Sequence, residues 1–294
     1  MVVAIEMGLI FAVMALGVYL TFRILNFPDL TVDGSYTTGA AVAASLIIAG
    51  VPAWVATVAA IGAGGLAGLV TGLLHTKGKI NPLLAGILTM IALYSINLRI
   101  MGKSNLPLLR EETVMSPLRD AGILGTWGSV AIFAVAVMLI KLLLDWFLST
   151  DLGLAIQATG DKEDMVGSFG VSRDRTKILA LVLSNALVGL CGALSAQYQG
   201  VADIGMGIGL ILVGLASVIL GQAVFGSRTV FISTLAVVFG AILYRVVITL
   251  ALGIGFNPND MKLFSALLVI VALVVPRWGV LQRIPRLARI GGGK

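Results

Sequence analysis

Charge is scarce in this chain. Only 12% of its 294 residues are Asp, Glu, Lys or Arg, about half the share a soluble domain carries. No polar half exists that could fold as a water-soluble domain. There is one histidine, His75, which excludes a zinc site of the His-Glu-x-x-His kind. There is one cysteine, Cys191, which excludes an intrachain disulfide. No G-x-x-x-x-G-K-[ST] run occurs, and Gly78-Lys79 is followed by Ile80, so the chain cannot cradle ATP phosphates in that manner. No cluster of catalytic groups stands out, so the chain reads as a non-enzyme that binds no metal and no cofactor of its own. Met1-Val2-Val3-Ala4 lacks a basic region, so the first apolar run reads as a retained span and not a cleaved leader.

What is abundant is apolar. Hydrophobic residues make up 59% of the chain and the mean hydropathy is +1.05. Glycine, at 36 residues, is the residue that lets membrane helices approach closely. The chain therefore reads as an all-α polytopic membrane protein. A spanning helix needs about 20 apolar residues, and nine segments qualify or nearly so: 5–25, 35–50, 53–74, 82–101, 127–148, 177–199, 206–225, 230–252 and 261–276. The second and ninth are short, which makes the count eight or nine. Residues 1–276 read as one transmembrane domain, and 277–294 as a basic tail.

Lysine and arginine set the orientation. With the tail in the cytoplasm, 13 of the 20 basic residues fall inside, four outside and three within spans. The net charge of +6 thus reports sidedness and implies no nucleic acid partner.

Three irregular stretches interrupt the spans. In Asn26-Phe27-Pro28-Asp29-Leu30-Thr31-Val32-Asp33-Gly34-Ser35, proline and glycine break helix. Either this is a broken helix at membrane depth beside a cavity, or it is a plain turn in which Asp33 or Ser35 caps the next span. Residues 102–126 form the longest outer segment, a docking surface or a solvated connector. The inner loop, 151–176, is amphipathic. Asp161-Lys162-Glu163-Asp164 opens a short helix with acids in its first turn, and glycine ends it at Gly167 or Gly170. Met165 and Phe169 are four apart and share a face, which suits a plug for a groove on another protein.

Ionisable and polar groups inside spans need a reason to be there. Lys141 and Asp145 can pair or snorkel. Asp33 is the main deep acid. Arg245 sits deep in the eighth segment and faces the bundle or a wet path. With Ser35, Asn97 and Asn185, these two are candidates to line a path for a polar solute, and interhelical hydrogen bonding is the competing role. Gly64, Gly68 and Gly72 form one face of the third segment and suit helix packing.

Two stretches carry a family resemblance. NFPDLTVDGSYTTGAAVAA, from Asn26 to Ala44, is similar to an early broken-helix motif. QATGDKEDMVGSFGVSRDRTKILALVLSNALVGLCGALSAQYQ, from Gln157 to Gln199, is similar to a cytoplasmic coupling loop and its following span. The chain resembles, over about residues 5–276, permease subunits of bacterial ABC importers in the branched-chain amino acid and ribose permease superfamily, above all its tryptophan/tyrosine-type branch. The resemblance implies a homodimeric permease of the inner membrane, with the solute path near the two-fold axis. It implies separate ATPase subunits that hold ATP and Mg and grip a coupling helix at Gly160–Gly170, and an extracytoplasmic binding protein that delivers the solute. An amino acid is the implied cargo; sugars and nucleosides are the alternatives. A secondary transporter driven by an ion gradient is the rival class, and would call for acidic or histidine relays deep in the spans.

Overall fold

A computed structural model describes residues 1–168, 170–226 and 228–253, together with 263, 266, 267 and 270. Phe169, nearly all of the ninth segment and the basic tail lie outside the described residues.

Helix α1 (Val2–Val18) continues into a π-helical turn at Tyr19–Ile24. The remaining long helices are α2 (Thr31–Ile48), α3 (Ala53–Thr76), α4 (Pro82–Met101), α6 (Trp127–Leu148), α9 (Arg173–Gln199), α10 (Leu210–Phe225) and α11 (Val230–Gly253). Between them lie short α5 (Ser116–Asp120), α7 (Asp151–Asp161) and α8 (Glu163–Ser168), and strands β1 (Asn105–Pro107) and β2 (Val201–Asp203). Among the described residues, six helices are long and apolar enough to cross a membrane. Two further helices are more polar or shorter: α2, which is largely buried in the bundle, and α10, which buries one face and leaves Leu212, Val224 and Phe225 exposed. The protein is an all-α polytopic membrane protein.

Burial follows from which faces are apolar. Apart from Glu6, α1 is apolar all round, as suits a helix enclosed on every side, and its buried run from Leu9 to Leu16 forms the centre of the core. α6 buries only Ser129, Phe133, Val137, Lys141, Leu144 and Leu148, a single stripe at helical spacing. Its other faces carry exposed Ile132, Val135, Leu139 and Leu143 and suit lipid. Trp127 and Trp146 are exposed at its two ends. At 1.5 Å per residue they stand about 28 Å apart, close to the thickness of the hydrocarbon layer, where tryptophans mark the two interfaces.

α2 is the opposite case. Its first half is polar, yet Thr31, Ser35, Thr37 and Thr38 are all buried. Thr37 donates to the Asp33 carbonyl at 3.2 Å and Thr38 to the Gly34 carbonyl at 2.9 Å, so the hydroxyls are satisfied inside their own helix. Small residues let neighbours close in. A methyl at Gly39 would strike the Gly189 carbonyl and one at Gly192 the Tyr36 carbonyl, which brings α2 and α9 backbone to backbone.

The outer segment is anchored as well as solvated. β1 pairs antiparallel with β2, Leu106 opposite Ala202, and Leu106, Leu108 and Met115 are buried. Gln197 of α9 accepts from the Val114 amide at 3.0 Å and donates to Thr57 of α3 at 2.9 Å.

The inner loop corrects one expectation. A single short helix opening at Asp161 is not what forms. Asp161 ends α7, Lys162 is extended with φ −149°, and α8 begins at Glu163. Gly153 and Gly160 explain the placement of α7: a methyl at Gly153 would strike the Phe147 carbonyl, and one at Gly160 the Ile24 carbonyl. The helix therefore packs backbone to backbone against the end of α6 and the end of the π-helical turn, and the extended Lys162 separates it from α8.

Candidate functional site

The breaks before α2 and α10 bring two helix N-termini together. Leu25, Phe27, Asp29 and Thr31 are buried while Asn26 and Pro28 between them are exposed, so the linker runs along the edge of the bundle with every second side chain turned inward. Asp29 Oδ1 accepts from the Thr31 amide at 2.9 Å, capping α2. Its Oδ2 accepts from Asn185 Nδ2 at 2.7 Å. Ser35 donates to Asn185 Oδ1 at 2.7 Å. From Thr31 a chain of hydroxyls continues to Thr71 at 2.7 Å and on to Thr89 at 2.9 Å. The first turn of α2 is thus tied to α9, α3 and α4 through buried side chains, each with partners.

Asp33 faces the other terminus. Its two carboxylate oxygens accept from the Gly209 amide at 2.7 Å and the Ile211 amide at 2.8 Å. It caps α10 from another helix, and not α2 as a plain turn would have it. A negative charge at a helix N-terminus is favoured by the free amides and the dipole there. Gly209 has φ +84°, a conformation suited to glycine. Gly207 rests on the Asp33 carbonyl and the Thr37 hydroxyl with no room for a side chain.

Two cavities flank the segment 204–209. The first, about 360 Å³, is bordered by Asp33, Gly34, Thr37, Met90, Tyr94, Ser95, Asn97 and Ile208. The second, about 410 Å³, is bordered by Phe11, Met206, Gly209, Tyr244 and Arg245. The Arg245 guanidinium lies over the Phe11 ring at 4.2 Å, and its Nε is buried with no hydrogen-bond partner.

The five path candidates therefore separate. Asp33 and Asn97 border the first cavity and Arg245 the second. Ser35 and Asn185, both fully buried, belong to the network that holds α2.

The glycines of α3 face α9. Methyls at Gly64 and Gly68 would meet the carbonyls of Asn185 and Leu181, and one at Gly72 would lie 3.1 Å from Ile178. Lys141 does not snorkel. It is fully buried, 2.6 Å from Asp145 and over the Phe231 ring at 3.0 Å. Thr234 donates to Asp145 at 2.7 Å, so the pair joins α6 to α11.

At the basic end, α8 lies against the start of α9. Lys177 pairs with Glu163 at 2.7 Å and Arg173 with Asp164 at 3.1 Å. Both are partly exposed and contribute little to stability. Val166 is buried, while Asp161, Lys162, Glu163, Asp164 and Met165 are exposed. Gly170 follows with φ +78°. The helix thus offers an acidic face with one methionine to whatever covers this end.

Sequence reading missed two buried carboxylates and counted Asp33 as the main deep acid. Asp29 is one. Glu6 is the other: fully buried, it accepts from the Gly125 amide at 3.0 Å and from the Ser129 and Tyr198 hydroxyls, drawing α6 and α9 to α1. The signal was present, because an acid inside an apolar run always needs a partner.

A family model described as the permease component of branched-chain amino acid transport systems matches residues 2–274. The chain belongs to this family. It is a permease of the ABC transporter class, of the type that imports. Among its relatives, a tyrosine transport system permease protein of Clostridioides difficile is 43% identical over 90% of this chain and 88% of its own length. The ribose import permease RbsC of Escherichia coli is 29% identical over 71% of this chain and 65% of its own length. A branched-chain amino acid permease LivH of Methanocaldococcus jannaschii is 25% identical over 91% and 87%. Among solved structures, a metal-chelate type ABC transporter in an inward-facing conformation superposes with a TM-score of 0.51 and 16% identity, over 95% of this chain and 84% of that one. That likeness speaks to the fold alone.

Proposed function

We propose that this permease moves an amino acid, aromatic such as tyrosine or tryptophan or else branched-chain, inward across the bacterial inner membrane. It works as a homodimer with its C-terminus in the cytoplasm. Two ATPase subunits hold ATP and Mg and bear on the α7–α8 region, and an extracytoplasmic binding protein delivers the solute. The 43% identity to a tyrosine transport permease across nearly the whole chain carries the reading of the cargo.

The geometry supports a route for the stroke. α8 is bound to α9 by two ion pairs, and α7 rests on the Ile24 carbonyl. Ile24 ends a π-helical turn, a form that recurs at functional sites. Directly beyond it runs the linker to Asp29, at the start of α2, and to Asp33, which borders the first cavity. Force applied to α7–α8 thus reaches the cavity through one continuous stretch of chain.

The test is reconstitution of the permease with its ATPase and binding protein in vesicles, with labelled tyrosine outside. Uptake that needs ATP is expected, and Met165→Asp lowers it severalfold while the protein still inserts. Tyrosine accumulation on an ion gradient without the ATPase overturns the proposal.

A further inference from the structure

Arg245, inside the spanning helix α11, is the one full charge on the wall of the second cavity. Among the described residues that border this cavity there is no Asp, Glu, Lys or His. None of the ion pairs among the described residues includes Arg245. Its guanidinium lies over the Phe11 ring at 4.2 Å. Stacking uses the face of the group and leaves its edge for in-plane hydrogen bonds. Nε is sealed and unpaired, out of reach of any ligand. The terminal Nη1 and Nη2 differ. No described residue accepts from them and they are not sealed, so they belong to the part of Arg245 that stays accessible at the cavity.

The rest of the wall supplies no counter-charge. Phe11, Met206, Leu212, Val213 and Ile248 are apolar. Backbone amides at this wall are spent: Gly205 donates to Asp203 at 2.8 Å, Ile208 to the Gly205 carbonyl at 3.2 Å and Gly209 to Asp33 at 2.7 Å. Asp33 reaches Gly209 from the side of the first cavity, and both its oxygens accept amide protons there, so its charge is answered by the α10 N-terminus. A cation at membrane depth without an anion is costly.

We infer that the second cavity is a subsite for a small molecule with one carboxylate on an apolar or aromatic body, Nη1 and Nη2 of Arg245 receiving the carboxylate end-on. Paired N–H donors and a carboxylate match in geometry and charge. A single negative charge balances the guanidinium, whereas a phosphate dianion leaves a surplus charge against an apolar wall. An ammonium meets a like charge. The cavity, about 410 Å³, admits a molecule of amino acid size. The inference rests on the importer reading for its relevance, since a carboxylate is what every amino acid cargo shares, but it is tested by binding alone.

The probes are 3-(4-hydroxyphenyl)propionate, its amide and tyramine, which share one body and carry a negative, a neutral and a positive head. The full-length permease with Leu212→Cys, in lipid nanodiscs and without ATPase, is alkylated by a neutral maleimide. Leu212 borders this cavity and is 37% exposed, while Cys191 is fully buried and stays silent. The propionate is expected to slow alkylation, and the amide and tyramine to leave it unchanged. Adding Arg245→Gln raises the propionate concentration needed for protection by about tenfold or more. Arg245→Lys keeps the charge without the fork and falls between the two. Equal protection by propionate and amide, protection by none of the three, or an unchanged propionate affinity in Arg245→Gln overturns the inference. If Arg245→Gln exposes Cys191 and so reports misfolding, the contrast among the probes and the Arg245→Lys variant decide. Selective protection in a permease that fails to import amino acids leaves the subsite standing and removes the importer reading. ATP-dependent import with no selective protection does the reverse.

Discussion

Asp33→Ala tests the meeting of the two broken helices. The substitution removes both acceptors from the Gly209 and Ile211 amides, held at 2.7 and 2.8 Å. Hydrogen bonds to a charged group contribute about 1.5–3 kcal/mol each, and the charge at the α10 N-terminus adds about 0.3–1 kcal/mol. The first cavity borders Asp33, so water can replace part of what is lost, and a net destabilisation of about 3 kcal/mol is expected. At about 2–4 °C per kcal/mol for a chain of this size, the midpoint falls by roughly 6–12 °C. Asp33→Asn keeps one acceptor and no charge, and should lose about half as much. The protein carries its own reporter: Cys191 is its single cysteine and is fully buried, so a fluorogenic maleimide reacts only as the bundle opens. Midpoints for both variants within a degree of the unsubstituted protein would refute the capping argument.

The same alkylation assay checks two further expectations. Gly68→Val places a side chain into the Leu181 carbonyl and should destabilise by about 1–3 kcal/mol, whereas Gly62→Val, in the same helix with nothing within 4 Å, should melt close to the parent; equal effects would show that α3–α9 contact is not the cause. Lys141→Ala leaves Asp145 with Thr234 as its one remaining side-chain partner and should cost about 3–5 kcal/mol, while the double replacement Lys141→Met with Asp145→Leu recovers most of that; a double variant as unstable as the single one contradicts it.

Much of this architecture was legible from apolar run length. The apolar run at 127–148 predicts the fifth span and α6 is Trp127–Leu148, because an uninterrupted lipid-facing helix must announce its length. The interior was harder to read. α2 has a polar first half that looks like a loop in any hydropathy argument, and only the carbonyls, amides and hydroxyls of four other helices make its burial possible. Asp33 was visible as an acid out of place, but its partner lies 176 residues away, a separation no local spacing reveals. Asn185 and Ser35 looked like path residues for the same reason that they serve the network: both uses call for a polar side chain at depth. Lys162 shows the converse limit. Its neighbours favour helix, yet α7 is pinned by Gly153 and Gly160 to elements far away in sequence, and the chain bends where that pinning ends.

The seat of Gly160 on Ile24 is a joint without a cushion. Where two elements touch through long side chains, rotamer changes absorb small displacements and the far side feels little. Here a bare α-carbon sits on a peptide oxygen, and there is nothing between them to yield. A shift of a few tenths of an ångström at one helix must be answered at once by the other, so residue 160 tolerates no cushioning side chain, and even alanine there should push α7 off the π-helical turn.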